Sequence, residues 1–437
     1  MAEILIASMQ PAGHVGPLLS VAEGLVARGD RVTVLTAAWH ADRIRAVGAI
    51  PAALPPEAEL NETDLESQFP GRAATSGITR VNFDITNLFL APMRHQCAAL
   101  TDLMLTTRYD AVVADAGFFG ILPFLLGDPA ARPPVLSYST TPLMISSRDH
   151  APFGLGLQPR ATAAGRVRNR ALNLLSQRVL LRPSHQAANA QLRRLNAPPL
   201  PVFVMDSPVL ADRLIAPTVP TFDYPRSDLP ANVRYVGQVQ PRPTQDFRPP
   251  RWWAELDGDR PVVHVTQGTI DNADLGRLLE PTIAALADED VLVVATTGGR
   301  PVEQIGVELP ANVRVAEYLP HDVLLPKVNV MVTNGGYGAV QRALSEGVPL
   351  VVAGDTEDKP EVAARVQWSG AGINMGTGTP TVGMLRRAVR DVLDHDHFLA
   401  RARALESAYA RRDGVAEIAA LVDEVIAERA AVVRATR

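Results

Sequence analysis

Two kinds of group in this 437-residue chain could do chemistry together. The first is His14, in the run Gly13-His14-Val15-Gly16-Pro17 that follows an apolar segment at residues 4–8. An imidazole is the side chain best suited to accept a proton near neutral pH. A base histidine is usually held by a carboxylate that fixes its tautomer and steadies its charged form. Asp115, at the end of the apolar run Val112-Val113-Ala114, is placed to serve; Asp110, at the start of that run, is the weaker candidate. The second kind is bare backbone. Thr333-Asn334-Gly335-Gly336-Tyr337-Gly338-Ala339 puts three glycines in four positions between an apolar run at 328–332 and a helical period at Val340, Ala343 and Leu344. Glycines let a ligand approach the chain closely, and a helix start presents unbonded N–H groups with partial positive charge, so the turn suits a phosphate. Both features also have ordinary uses. Such glycines serve many strand-to-helix turns, and such a histidine can be a cap or a surface residue.

The elements that must position these groups read as α/β. Residues 4–8 form a strand, and 9–17 a loop. Leu18, Ala22, Leu25 and Val26 continue as a helix with Pro17 at its first position and Gly29 just past its end. Residues 31–36 are the next strand, which completes a βαβ unit whose loop lies at the carboxyl edge, where doubly wound sheets bind ligands. Further strands are expected at 112–115 and 134–140, with a loop region over 51–76 and two arginine-rich amphipathic stretches covering a pocket near 166–181. From 217 to 260 the composition shifts to Pro, Arg and Asp, with Gly237 ending a short strand, which marks an interdomain linker. A second α/β half then starts, with strands expected at 261–265, 291–295, 313–316, 328–332 and 349–353 and a helix at 274–286. The tail from Met384 reads as helix. The expected division is 1–216, linker 217–260, 261–405, and closing helices over 406–437 that pack back on the first domain.

Composition narrows the class. Two domains of about 200 residues each fit the length. The hydrophobic content of 47% suits a soluble enzyme, and no apolar run approaches the ~20 residues of a membrane span. No leader-like segment precedes the first strand, so the cytoplasm is the expected location. The single cysteine, Cys97, leaves no internal disulfide and no cysteine zinc site. A net charge of −5 argues against a nucleic-acid partner. The dinucleotide fingerprint GxGxxG is absent from both glycine loops. Asp257-Gly258-Asp259 and Asp394-His395-Asp396 look like the metal-binding carboxylate pairs of another class of sugar transferase, but one falls in a turn and the other at a helix end, so no metal site is expected.

The loop set resembles that of the GT-B glycosyltransferases of the UDP-glycosyltransferase superfamily, nearest to bacterial enzymes acting on macrolides and other natural products. It comprises the Gly13–Pro17 loop, Thr266-Gln267-Gly268-Thr269, Tyr318-Leu319-Pro320-His321, and the run from Thr333 through Gly347-Val348-Pro349 and Asp358 to Gly372. The resemblance implies two Rossmann-like domains facing across a cleft. The first would hold a hydrophobic small-molecule acceptor and the second a nucleotide sugar, UDP-glucose foremost or a TDP-sugar, with no other cofactor. It implies that His14 deprotonates the acceptor with Asp115 in support, and that the anomeric carbon inverts. Gly335, Gly336, Gly338 and Ala339, with Gly268 and Thr269, would hold the diphosphate. Tyr318 would lie under the base, Leu319 would meet the base edge through its backbone, and His321 ends that same motif. Asp358 and Lys359 would bind sugar hydroxyls.

Four positions depart from the pattern. Asn334 replaces a histidine and loses its charge, and Ala339 replaces a hydroxyl residue. Arg342 stands where a glutamate binds ribose, and arginine cannot accept a hydrogen bond. Lys359 replaces glutamine. The ribose could pass to Glu346 or to backbone, or Arg342 could turn to phosphate. A sugar-nucleotide epimerase on the same fold and a non-catalytic binding partner are the competing functions. A monomer or a homodimer is expected.

Overall fold

The computed structural model describes residues 1–60, 65–269 and 272–435. Seven parallel strands make the first sheet: β1 (Glu3–Ala7), β2 (Arg31–Thr36), β3 (Ile50–Ala53), β4 (Ala111–Asp115), β5 (Val135–Tyr138), β6 (Arg213–Ala216) and β7 (Val233–Tyr235). Their order is β3-β2-β1-β4-β5-β6-β7. Six more make the second: β8 (Val262–Thr266), β9 (Leu292–Thr296), β10 (Val313–Ala316), β11 (Val330–Thr333), β12 (Leu350–Val352) and β13 (Gly372–Asn374), in the order β10-β9-β8-β11-β12-β13. Both sheets are doubly wound, and the order reverses between β1 and β4 and between β8 and β11. Ligand crevices belong at those two places. The central strands are buried along their length because helices cover both faces, hence their runs of Val, Ile, Leu and Ala.

The stretch 217–260, expected as a linker, does more than connect. Val219 and Phe222 are buried in the core of the second domain, and the chain then returns to supply β7 to the first sheet. The crossing after β7 runs beside a second crossing near Arg412. A Cβ on Gly237 (φ +77) would lie 2.4 Å from Cβ of Arg412, so that close passage requires glycine. The helix Asp396–Tyr409 packs in the second domain through Ala402, Leu405 and Tyr409. The helix Gly414–Ala435 packs on the first, where Ile418, Val422 and Val425 meet Leu18, Ala22 and Leu25. Residues 436–437, at the end of the expected closing segment, lie outside the described residues, as do 61–64 within the loop region expected over 51–76.

Several local expectations change. The helix after β1 begins at Ala12, and Pro17 lies inside it. The amides of His14 and Val15 both donate to the Pro11 carbonyl, which closes the first turn upstream of the proline. Pro17 then removes only the bond that would run to the Gly13 carbonyl. The loop region over 51–76 contains β3, whose Pro51 hides it from a propensity reading. Near 166–181 the two amphipathic stretches are one helix, Ala163–Leu175, that continues as a π-helical turn, Ser176–Leu180.

Candidate active site

His14 comes from the first turn of the helix after β1, and Asp115 ends β4 beside it. His14 Nδ1 lies 2.6 Å from Asp115 Oδ2, and Asp115 Oδ1 accepts from the Gly117 amide at 2.8 Å. An ionised carboxylate only accepts, so the proton belongs on Nδ1 and the lone pair on Nε2; this tautomer is assigned from the bonding pattern. Thr140 Oγ1 stands 3.1 Å from the same nitrogen. The imidazole keeps 20% of its side-chain surface exposed and the Asp115 side chain keeps none, so the ring is the member of the pair a substrate can reach. Gly117 lies close to Phe89, where an added Cβ would sit 3.3 Å from the ring. The Phe89 ring therefore lies near the pair.

The second domain presents two matching turns. Thr266 and Thr333 are register partners on β8 and β11. Each hydroxyl accepts from the amide of the glycine two residues on, Gly268 at 3.2 Å and Gly335 at 3.3 Å. Gly335 is left-handed (φ +90), and an added Cβ would lie 2.7 Å from Val352 Cγ1. Gly336 and Gly338 differ, because a Cβ on either would meet nothing within 4 Å. Gly336 caps the helix Tyr337–Ser345 without a side-chain bond, and Val340 N donates to its carbonyl at 3.0 Å. Helix geometry leaves the amides of Tyr337, Gly338 and Ala339 without an intrahelical acceptor. Thr269 is exposed at the rim.

The Asn334 side chain is turned inward, and its Nδ2 donates to the Gln267 carbonyl, which ties the two turns together. Gln267 in turn caps the helix Leu279–Leu286, its Oε1 accepting from Leu278 and Leu279 at 3.1 and 2.9 Å. A small cleft beside them is lined by Arg277, Asn334 and Gly354, and Arg277 is paired with Asp355 at 2.7 Å.

Tyr318 is 65% exposed, so it is no core tyrosine and its ring faces are open to a ligand. Leu319 is buried in the core, which leaves its backbone for recognition. Burial, with help from Arg342, pushes the His321 imidazole down to about 4, so it is neutral at pH 7. Arg342 pairs with Glu346 at 3.1 Å, and burial raises the Glu346 carboxyl against the pull of that arginine. Lys359 is buried; its ammonium donates to Thr356 at 2.9 Å and pairs with Glu357, a left-handed non-glycine residue. Asp358 is pushed up to about 6, by burial first and then by Glu357, against the pull of Lys359. Burial likewise raises the Tyr138 hydroxyl, with Tyr337 and Asp115 adding to the shift.

Among the described residues no three His, Cys, Asp or Glu side chains come together as a metal-ligand group, and Asp257 pairs with Lys327. No helix among them is long and apolar enough to cross a membrane. Sequence reasoning passed over Thr140, whose signal was its place just past β5, the strand paired with β4. It also passed over Arg277 and the capping role of Gln267.

Comparison with known proteins shows the family. Residues 280–425 match the erythromycin biosynthesis protein CIII-like, C-terminal domain family. The chain is 42% identical to 4'-demethylrebeccamycin synthase of Lentzea aerocolonigenes over 97% of its own length and all of that protein. It is 34% identical to UDP-glycosyltransferase 2 of Phaeomoniella chlamydospora, over 97% and 96% of the two chains. In structure it resembles the glycotransferase of kitacinnamycin (TM-score 0.74, 21% identity, covering 97% and 99% of the chains) and the calicheamicin glycosyltransferase CalG4 (0.70, 22%, 98% and 99%). With the two doubly wound sheets, these likenesses make the chain an enzyme: it belongs to the GT-B natural-product glycosyltransferases of the UDP-glycosyltransferase superfamily.

Proposed function

We propose that this glycosyltransferase moves a hexose from a UDP-sugar, UDP-glucose foremost, or from a TDP-sugar to a hydroxyl of a hydrophobic small molecule such as a macrolide, polyketide or phenolic. The anomeric carbon inverts and no metal takes part. The observation that carries the reading is the His14–Asp115 pair at the strand-order reversal of the first sheet, matched by the glycine turn at the reversal of the second.

The acceptor lies against the Phe89 ring, and His14 Nε2 takes its hydroxyl proton while Asp115 steadies the imidazolium. The acceptor oxygen bonds to the anomeric carbon as the bond from that carbon to the β-phosphate oxygen breaks. A single displacement of this kind inverts the centre. The leaving diphosphate gains charge, which the amides of Tyr337, Gly338 and Ala339 meet at the positive end of their helix. Gly336 and Gly338 give the phosphates room, and Gly268 and Thr269 close the other side. Asn334 contributes by locking the two turns, so the amides are already placed before the donor binds. Tyr318 stacks under the base, and Leu319 offers backbone to its edge beside the neutral His321. Glu346, held by Arg342, accepts from the ribose hydroxyls that arginine itself cannot serve. Asp358 and Lys359 hold the sugar.

The donor preference draws on relatives named UDP-glucosyltransferase, such as that of Starmerella bombicola at 33% identity, and on a fold neighbour, VinC, solved with dTDP. The test is incubation with UDP-glucose or TDP-glucose and a panel of phenolic and polyketide acceptors, with chelator present. Product of inverted anomeric configuration, read by NMR coupling, is expected. A requirement for added divalent metal, retained configuration, or donor turnover without an acceptor would each contradict part of the reading.

A further inference from the structure

The mechanism leaves one buried cluster unused, and it bridges the two domains. The helix Lys359–Ser369 starts at the proposed sugar site, with Asp358 as its cap, and carries Glu361 and Arg365 inward. Glu361 Oε1 accepts from the backbone amides of Gly154 and Gly156 at 3.0 and 2.9 Å. Those glycines belong to the acceptor-side loop between β5 and the helix Ala163–Leu175. Glu361 Oε2 accepts from Arg365 Nη1 at 2.9 Å, and Arg365 Nε donates to Asp223 Oδ1 at 3.1 Å. Glu361, Arg365 and Asp223 are all buried. Gly156 is left-handed (φ +59), and an added Cβ would sit 3.0 Å from the Pro360 carbonyl, so the loop lies directly on the first turn of the donor helix.

We propose that Glu361 is a positioning residue that makes the acceptor loop a sensor of the donor helix. One carboxylate oxygen holds the loop by two amides, while Arg365 and Asp223 fix the other from beneath. A nucleotide sugar that settles Asp358 and Lys359 thereby settles the loop, and the acceptor meets a formed wall only when a donor is in place. This rests on the donor-site reading above.

Hydrogen exchange of residues 150–160 in the full chain, with and without UDP or UDP-glucose, tests the coupling. In the wild type the loop amides are expected to be protected and to slow further with UDP-glucose, whose sugar reaches Asp358 and Lys359, but not with UDP. In Glu361→Ala they exchange faster and no longer respond. With acceptor, kcat/KM in that variant falls by about ten- to a hundredfold, the scale of a misplaced substrate, whereas UDP affinity measured by calorimetry stays at its wild-type value, because UDP lacks the sugar that couples to the loop, and UDP-glucose affinity shifts with the coupling it loses. Glu361→Gln keeps an oxygen for the two amides and should fall between the two. Equal loop exchange in the wild type and Glu361→Ala would overturn the tether, as would a loss confined to nucleotide affinity. If the wild type binds neither UDP nor TDP, the donor-site reading and the sensing fail together, while exchange at Gly154 and Gly156 still reports whether Glu361 holds the loop.

Discussion

The two domains share a strand order but equip their crevices differently. In the first, the reversal between β1 and β4 is armed with ionisable side chains, His14 and Asp115. In the second, the reversal between β8 and β11 is armed with backbone: Gly268 in one turn, Gly335, Gly336 and Gly338 in the other. The difference follows the chemistry each crevice is asked to do. A proton must be taken and released, which needs a group that titrates. A diphosphate must be held and its growing charge met, which needs fixed dipoles and close approach. The connections differ too. Between β4 and β7 the first domain carries the π-helical turn, the acceptor loop and a segment that dips into the second core, whereas consecutive strands of the second domain are joined by shorter crossovers, each with one or two helical segments.

The sharpest break of the comparison is on the side-chain half. His14→Ala should lower kcat by about 10³-fold, within the usual range for a lost general base, with nucleotide affinity unchanged. Asp115→Asn should act in the same direction, and a rate near wild type in either would remove the pair from the mechanism. Next comes the joint between the halves. Asp223 receives Arg365 at 3.1 Å and also pairs with Arg226, and although burial pushes it up, the two arginines hold it at about 2. Asp223→Ala leaves two guanidinium groups in the core and should cost about 3–5 kcal/mol of stability, read by denaturant unfolding.

On the backbone half, neighbouring glycines should separate. Gly335→Ala forces a side chain into a left-handed site against Val352, which should cost about 1–3 kcal/mol of stability. Gly336→Ala meets open space, so its stability should stay within about 0.5 kcal/mol of wild type while nucleotide affinity falls. Tyr318→Ala should weaken nucleotide binding by about 1–3 kcal/mol if its ring stacks on the base.

The smallest effect is on pH. The Asp358 carboxyl sits at about 6, so as pH falls through that value it loses its charge and accepts more weakly from sugar hydroxyls, and the donor KM should climb. Stability has the opposite sign. The folded chain holds this proton more tightly than the unfolded one, at 3.8, so the Asp358 contribution weakens as pH rises from about 4 through about 6. An Asp358→Asn variant should flatten that acid limb of donor KM.

How much was legible follows the same divide. The long β-branched runs of β1, β2, β8, β9 and β11 announced themselves because both faces are buried. Three of the shorter strands did not. β13 has three residues, β6 has only three apolar ones, and β3 carries a proline, so register with neighbours rather than local pattern defines them. Gly29 was read correctly as a helix stop, left-handed just past its helix. Pro17 was read as a start and is interior, because the first turn closes on Pro11 before the proline is reached. In the site, the glycine turn and the histidine could be seen as types at a spacing. Thr140 and Glu361 could not, since each matters only through a partner more than 100 residues away.

The most direct test of the central claim is a crystal structure of the protein with UDP bound. The β-phosphate should lie within hydrogen-bond distance of the amides of Tyr337, Gly338 and Ala339, with His14 Nε2 facing it across the cleft. A diphosphate seated away from that helix start, or one from which the imidazole is screened by protein, would contradict the account.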